Sequence, residues 1–367
     1  MIPIFEPVLG DEERANLMEA IDTGWISSQG KFIPLFEQKF SKWNGIKYGV
    51  ACSNCTTALH LALEVLGIRP GDEVLCPDLT FISPANMIKL VGATPVLIDI
   101  EQDSWGIDPE KIEEKITEKT KAIIIVHQFG HSANMDPIMD IARSNNLKVI
   151  EDVAEAPGAK YKGKLVGTFG DLSCYSFFAN KIITTGEGGM ILSNNQELEQ
   201  KLKIYRDHGM SLEKKYVHTV KGFNYRMTNM QAAIGLGQLY RLDEILAKRE
   251  EQNKNYKKLF SSLDYVKYRP NVEWSESVHW LATITLENYK LRDPLIDHMY
   301  ANGVEVRQMV YPVHMALPYS KENESEQFPI ANSVSLASLH LPSSLNITYD
   351  QQEHIVDIIA SWLEDHY

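Results

Sequence analysis

The sequence predicts an α/β fold, a mostly parallel seven-stranded sheet flanked by helices, followed by a smaller C-terminal α+β domain. Three observations predict it. Seven short apolar runs alternate with helix-like stretches from about residue 45 to 195. The pattern becomes helical and charged after Gln231. Finally, 367 residues are long for one hydrophobic core, which favours one large domain with a smaller companion. The boundary is placed near residue 245, giving 1–245 and 246–367.

The apolar runs are Tyr48 to Ala51, Glu73 to Cys76, Thr94 to Asp99, Ala122 to His127, Val149 to Asp152, Leu172 to Phe177 and Met190 to Ser193. Each is short enough for a buried strand. Thr57 to Leu66, Ser83 to Val91, Pro109 to Lys115 and Met135 to Asn145 lie between them with helical spacing of apolar residues. One long connecting helix is expected from Gln231 to about Leu263. Beyond it, Trp280 to Leu286 reads as a strand, and Leu291 to Ala301 and Gln352 to Glu364 read as helices.

Composition narrows the function classes. With 44% hydrophobic and 23% charged residues the chain is an ordinary globular one. A formal charge of −13 repels polyanions, so neither nucleic acid nor an anionic membrane is expected as a partner. The start Met1-Ile2-Pro3-Ile4-Phe5-Glu6 lacks the pattern of a secretion signal, and the longest apolar runs, such as Ala122 to Val126, are too short for a membrane span. A cytoplasmic location is expected. Cys52 and Cys55 form a C-x-x-C, but no second pair or matching histidine spacing accompanies it. The bland reading, a strand-to-helix junction, is preferred over metal.

In parallel sheets ligands gather beyond the carboxyl ends of the strands, so polar residues just after the apolar runs are the first site candidates. Ser53-Asn54-Cys55-Thr56, Asp78 to Phe81, His127 and Glu151-Asp152 occupy such places. The most informative stretch is Ser176-Phe177-Phe178-Ala179-Asn180-Lys181, continuing through Ile182-Ile183-Thr184-Thr185 to Gly186-Glu187-Gly188-Gly189. A lone lysine there can be a solvated loop residue. Placed between a buried strand and a tight glycine turn, it can instead hold enough neutral amine to form a Schiff base with a carbonyl. Pyridoxal phosphate is such a carbonyl, and it needs an anion at its ring nitrogen, donors for its phosphate and an aromatic neighbour. Asp152 ends an apolar run and can supply the anion, although a helix cap is its bland role. Ser53 to Thr57 leads into an apolar helix whose first amides suit a phosphate, with Ser176 as a further hydroxyl. Phe81 can stack on the ring, although a core role is the default for any one aromatic.

Together these segments resemble the fold-type-I, pyridoxal-phosphate-dependent nucleotide-sugar aminotransferases. The likeness extends to Trp25-Ile26-Ser27-Ser28, Gly71-Asp72-Glu73-Val74, Gly92-Ala93-Thr94-Pro95, Gly167-Thr168-Phe169-Gly170-Asp171, Asn224-Tyr225-Arg226-Met227-Thr228-Asn229 and Tyr311-Pro312-Val313-His314. The resemblance implies transfer of an amino group from L-glutamate, which becomes 2-oxoglutarate, to the 4-keto position of a nucleotide-linked 4-keto-6-deoxy sugar used for surface polysaccharide. A GDP-linked substrate is expected first, with dTDP- or UDP-linked sugars as the alternative. It makes Lys181 and Asp152 the catalytic pair, with Cys55, Thr56, Phe81, Glu155 and Ser176 around the cofactor. Asn224 or Arg226 would reach in from a second subunit of a homodimer. His127, Glu187, Arg307, Tyr311 and His314 would meet the substrate, and no metal is involved. Relatives often carry glycine where this chain has Cys55, which weakens that one assignment. A dehydratase of the same fold would have histidine at position 181, and a non-catalytic regulator would be expected to have lost Lys181 or Asp152. Both residues are present.

Overall fold

The computed structural model describes residues 1–269, 271–324 and 326–367. The seven apolar runs become β1 (Tyr48–Cys52), β2 (Glu73–Pro77), β3 (Thr94–Ile98), β4 (Thr120–Val126), β5 (Lys148–Asp152), β6 (Leu172–Ser176) and β7 (Gly189–Ser193). They form one sheet in the order β1-β7-β6-β5-β4-β2-β3. All pairings among β6, β5, β4, β2 and β3 are parallel. Only β7 runs the other way, and it pairs antiparallel with both β1 and β6. Helices cover the sheet, so β5, β6 and β7 are buried almost throughout, which is why their sequences read as continuous apolar runs.

The helical cover comprises α1 (Asp11–Asp22), α2 (Phe32–Trp43), α3 (Cys55–Val65), α4 (Ser83–Leu90), α5 (Met135–Ser144), α6 (Gln196–Arg206) and α7 (Asn229–Tyr240). Helix α7 packs on α1 and α2, while α3 packs on α4 and α6. A long α8 (Leu242–Phe260) then leads away to a four-stranded antiparallel sheet: Val266–Tyr268, Ala282–Leu286, Ser338–Leu341 and Arg307–Gln308, in that spatial order. This sheet, α8, the helix Arg292–Ala301 and the final helix Tyr349–Glu364 enclose a second core that includes Tyr256, Ile284, Leu339 and Ile359. Among the described residues no helix is long and apolar enough to cross a membrane.

Two expected elements differ. The predicted helix from Gln231 to Leu263 is two helices, because the chain leaves helical geometry at Arg241 (φ −103°, ψ 3°). There the Arg241 side chain turns to Glu13, 3.3 Å away, and lies against Gly10. Pro109 to Lys115 forms two short 3₁₀ turns, Pro109–Lys111 and Glu113–Lys115, the first capped by Asp108.

Candidate active site

Because six of the seven strands run the same way, β1, β2, β4, β5 and β6 deliver their last residues to one edge of the sheet, and β7 begins there. The register places Gly189 opposite both Cys52 and Ser176. Helix α3 starts at this edge. Its cap residue Asn54 accepts a hydrogen bond from the Thr57 amide (2.9 Å), and the Thr57 hydroxyl lies 3.3 Å from the Asn54 amide. The first two amides of α3, those of Cys55 and Thr56, have no protein acceptor among the described residues. They are free donors at the positive end of an eleven-residue helix. Gly189 permits this approach: a Cβ on it would stand 2.5 Å from the carbonyl carbon of Asn54. A second glycine, Gly186, adopts φ +83° in the turn before it.

Lys181 and Asp152 meet this edge from neighbouring strands. The Lys181 Nζ lies 3.4 Å from Glu155 Oε1 and 3.6 Å from the centre of the Trp280 ring. The other Glu155 oxygen accepts the Phe129 amide at 2.7 Å. Trp280 comes from the segment between the first two strands of the second sheet in chain order, Val266–Tyr268 and Ala282–Leu286, and its indole N–H donates to the Asn180 carbonyl at 2.6 Å. Asp152 is buried. Its Oδ1 accepts the Ala154 amide at 3.0 Å and lies 3.8 Å from the Cys55 sulfur. Burial pushes the Asp152 carboxyl up to about 6, and the Ala154 amide and the Lys181 charge oppose that rise only in part. Burial also lifts the Cys55 thiol well above its ordinary range, with the nearby Asp152 charge adding to it, so the thiol keeps its proton and serves as the donor.

The other predicted residues are placed as follows. The Thr56 hydroxyl meets that of Ser83 at 2.8 Å, and Ser176 is buried at the end of β6. Phe81 is 61% exposed, which leaves a ring face open to a ligand. Tyr311 and Glu187 are exposed. His314 is drawn onto Asp78, with Nδ1 2.7 Å from Oδ2 and its amide donating to Oδ1 at 2.8 Å. Arg307 lies on the second sheet opposite His340, whose ring packs on Phe129, and its side chain reaches Glu305. Arg226 is held by Asn224 (2.9 Å) and Asp207 (3.2 Å) of its own chain.

His127 differs from its expected role. It is wholly buried, with Nε2 3.1 Å from Glu151 and Nδ1 accepting the Ala133 amide at 3.2 Å. This pattern assigns the ring proton to Nε2 and uses both nitrogens inside the protein, so neither faces a substrate. Glu151 also takes the amides of Gly167, Phe169 and Gly170, which makes the pair part of the floor beneath Asp152. The motif reading missed Trp280, Phe129 and Arg269. Their only sequence signal is an aromatic or basic residue beside an apolar run, which is common everywhere.

These residues fit pyridoxal phosphate. Among the described residues no basic side chain hydrogen-bonds the Asp152 carboxylate, so this buried anion suits a cationic ring N–H. The unpartnered amides at the start of α3 suit a phosphate. Lys181 is the lysine at the same strand edge.

Comparison with known proteins agrees with this geometry. The model of the DegT/DnrJ/EryC1/StrS aminotransferase family matches residues 7–360. The chain is 42% identical over 366 residues to GDP-perosamine synthase of Escherichia coli O157:H7, covering 99% of each chain. It is 44% identical over 358 residues to GDP-perosamine synthase of Caulobacter vibrioides, covering 97% of this chain and 96% of the other. Among solved structures, the aminotransferase TlmJ from Streptoalloteichus hindustanus superposes with a TM-score of 0.95 at 28% identity, covering 100% of both chains.

Proposed function

The chain belongs to the DegT/DnrJ/EryC1/StrS aminotransferase family, and from that premise we propose that it aminates the 4-keto carbon of GDP-4-keto-6-deoxymannose. The amino group comes from L-glutamate, which leaves as 2-oxoglutarate, and the product is GDP-perosamine for surface polysaccharide. The observation that carries this reading is similarity along nearly the whole chain to two proteins named for that product. The same reaction on a dTDP- or UDP-linked sugar is the second reading, since few side chains read the base. In this reading residues 1–245 form the large cofactor-binding domain, 246–367 form the small C-terminal domain, and the enzyme works in the cytoplasm.

Pyridoxal phosphate, when bound, supplies an electron sink for the carbon that exchanges its proton. The residues of the chain do the rest. Lys181 would hold the cofactor, and its amine would take the proton from the glutamate α-carbon and give one to the sugar carbon. Glu155 and the Trp280 ring hold its Nζ from two sides. Asp152 keeps the ring nitrogen protonated. The amides of Cys55 and Thr56 and the hydroxyl of Ser176 bind the phosphate, completed by Asn224 or Arg226 of a second subunit. Phe81 stacks on the ring, while Glu187, Arg307, Tyr311 and His314 shape the sugar-nucleotide side.

The test incubates purified protein with glutamate and GDP-, dTDP- and UDP-linked 4-keto-6-deoxy sugars and identifies products by mass. The GDP sugar is expected to be aminated, and Lys181→Ala to abolish the product. Amination of only the dTDP or UDP sugar would establish the second reading, and no amination of any would end both.

A further inference from the structure

Arg269 is a cation with no carboxylate in ion-pairing distance among the described residues. Its guanidinium instead donates to three main-chain carbonyls: Phe129 at 3.2 Å, Gln128 at 2.9 Å and Ser104 at 3.3 Å. It also lies over the rings of Trp105, 4.8 Å away, and Phe129, 5.5 Å away. Two of the carbonyls it grips, those of Gln128 and Phe129, belong to a backbone turn that bulky residues seldom adopt, since Phe129 has φ 51° and ψ 28° and Gly130 has φ 92°. The turn is closed from the other side by the Val278 amide on the Gly130 carbonyl (2.9 Å) and the Trp280 amide on that of Phe129 (3.2 Å). A Cβ on Gly130 would stand 2.8 Å from the Trp280 nitrogen.

The turn points the Phe129 amide at Glu155 Oε2, while Glu155 Oε1 faces Lys181. We propose that Arg269 is a positioning residue for Lys181: by clamping the Gln128 and Phe129 carbonyls it holds the left-handed turn whose amide fixes Glu155 beside the lysine. The route runs from Arg269, the residue just after the Val266–Tyr268 strand of the second sheet, to the edge of the first sheet through one peptide unit. The fork of the guanidinium matters as much as its charge, because three acceptors in different directions are met by one rigid group. The inference rests on the reading of Lys181 as the cofactor-carrying lysine, and the experiment below measures the lysine directly, so that failure of either can be told apart.

The full-length protein, freed of cofactor, is treated briefly with acetic anhydride near neutral pH. Labelling of Lys181 is read by peptide mapping against the exposed Lys248, in wild type, Arg269→Lys, Glu155→Gln and the double variant. Glu155→Gln is expected to raise relative labelling of Lys181 by roughly three- to tenfold, since the Nζ loses the carboxylate that tethers it and is freer to meet the reagent. Arg269→Lys keeps the charge, loses the fork and is expected to raise it part of the way. In the Glu155→Gln background Arg269→Lys is expected to add nothing, because its effect passes through that carboxylate. Unchanged labelling in Arg269→Lys, or an equal rise with and without the Glu155 carboxylate, would overturn the proposal. The second outcome would mean general loosening. If Arg269→Lys is not recovered folded, Arg269→Gln carries the same cycle. Loss of cofactor binding to wild type would bear on the function and leave the labelling result standing.

Discussion

At Asp152, stability and function pull in opposite directions. Its carboxyl sits near 6 in the cofactor-free protein because burial disfavours the charge. The folded protein therefore binds this proton more tightly than the unfolded chain does. The contribution of Asp152 to stability is greatest below about pH 4, falls as pH rises toward 6, and stays lost at neutral pH. Replacing it with a neutral isostere removes that penalty. Asp152→Asn without cofactor is expected to gain on the order of 2 kcal/mol at pH 7, with little gain at pH 4, read by denaturant melts at both values. The same variant is expected to bind pyridoxal phosphate more weakly and turn over at least about a hundredfold more slowly, because an amide cannot keep the ring nitrogen protonated. A variant no more stable than wild type at pH 7 would show that the carboxylate is solvated. The place of this residue could be read from sequence, because the end of an apolar run fixes which edge of a sheet it meets. Trp280 could not, since its contact with Lys181 joins segments about a hundred positions apart and leaves no local trace.

At the scale of elements, the start of α3 and the start of β7 touch backbone to backbone. Gly189→Ala places a methyl 2.5 Å from the Asn54 carbonyl carbon and 2.6 Å from its oxygen, and neither atom can rotate away. The helix end must shift. The expected cost is about 1–3 kcal/mol of stability, with a larger relative loss in phosphate and cofactor affinity than in helix content. Thermal melts and a cofactor titration measure both; unchanged affinity would separate the α3 amides from the phosphate. The seven strands are legible because strands buried under helices on both faces of a sheet leave short continuous apolar runs, whichever way they point. Helices α1, α2 and α6 passed unrecognised: α1 and α6 are polar on most of their surface, and α2 begins without a side-chain cap. The break at Arg241 was hidden as well, because apolar spacing continues across it and only the pull of Glu13 on the arginine marks it.

At the scale of the whole molecule, the homodimer with shared sites is a proposal about a second copy of the chain, and it is tested by mixing subunits. In the shared-site reading, Lys181→Ala mixed with a variant changed at both Asn224 and Arg226 regains one intact site per mixed dimer. Activity near a quarter of wild type is expected after random re-pairing of equal amounts, a rough statistical figure for independent sites. Subunit exchange without recovery would place those side chains in their own chain's site or nowhere near it. Composition alone does not decide the matter, since a surface loop and an interface loop have the same composition. The sheet carries one more consequence, and it concerns biosynthesis. Among the described residues the first strand of the sheet in chain order, β1, has β7, the last, as its one sheet neighbour. While the ribosome has delivered only the earlier strands, β1 has no partner and the α3 amides lack the glycine against which they are set. In the reading that seats the cofactor on these amides, its capture waits for nearly all of the first 193 residues to emerge, which makes it a signal that the nascent sheet is complete rather than an aid to its early folding.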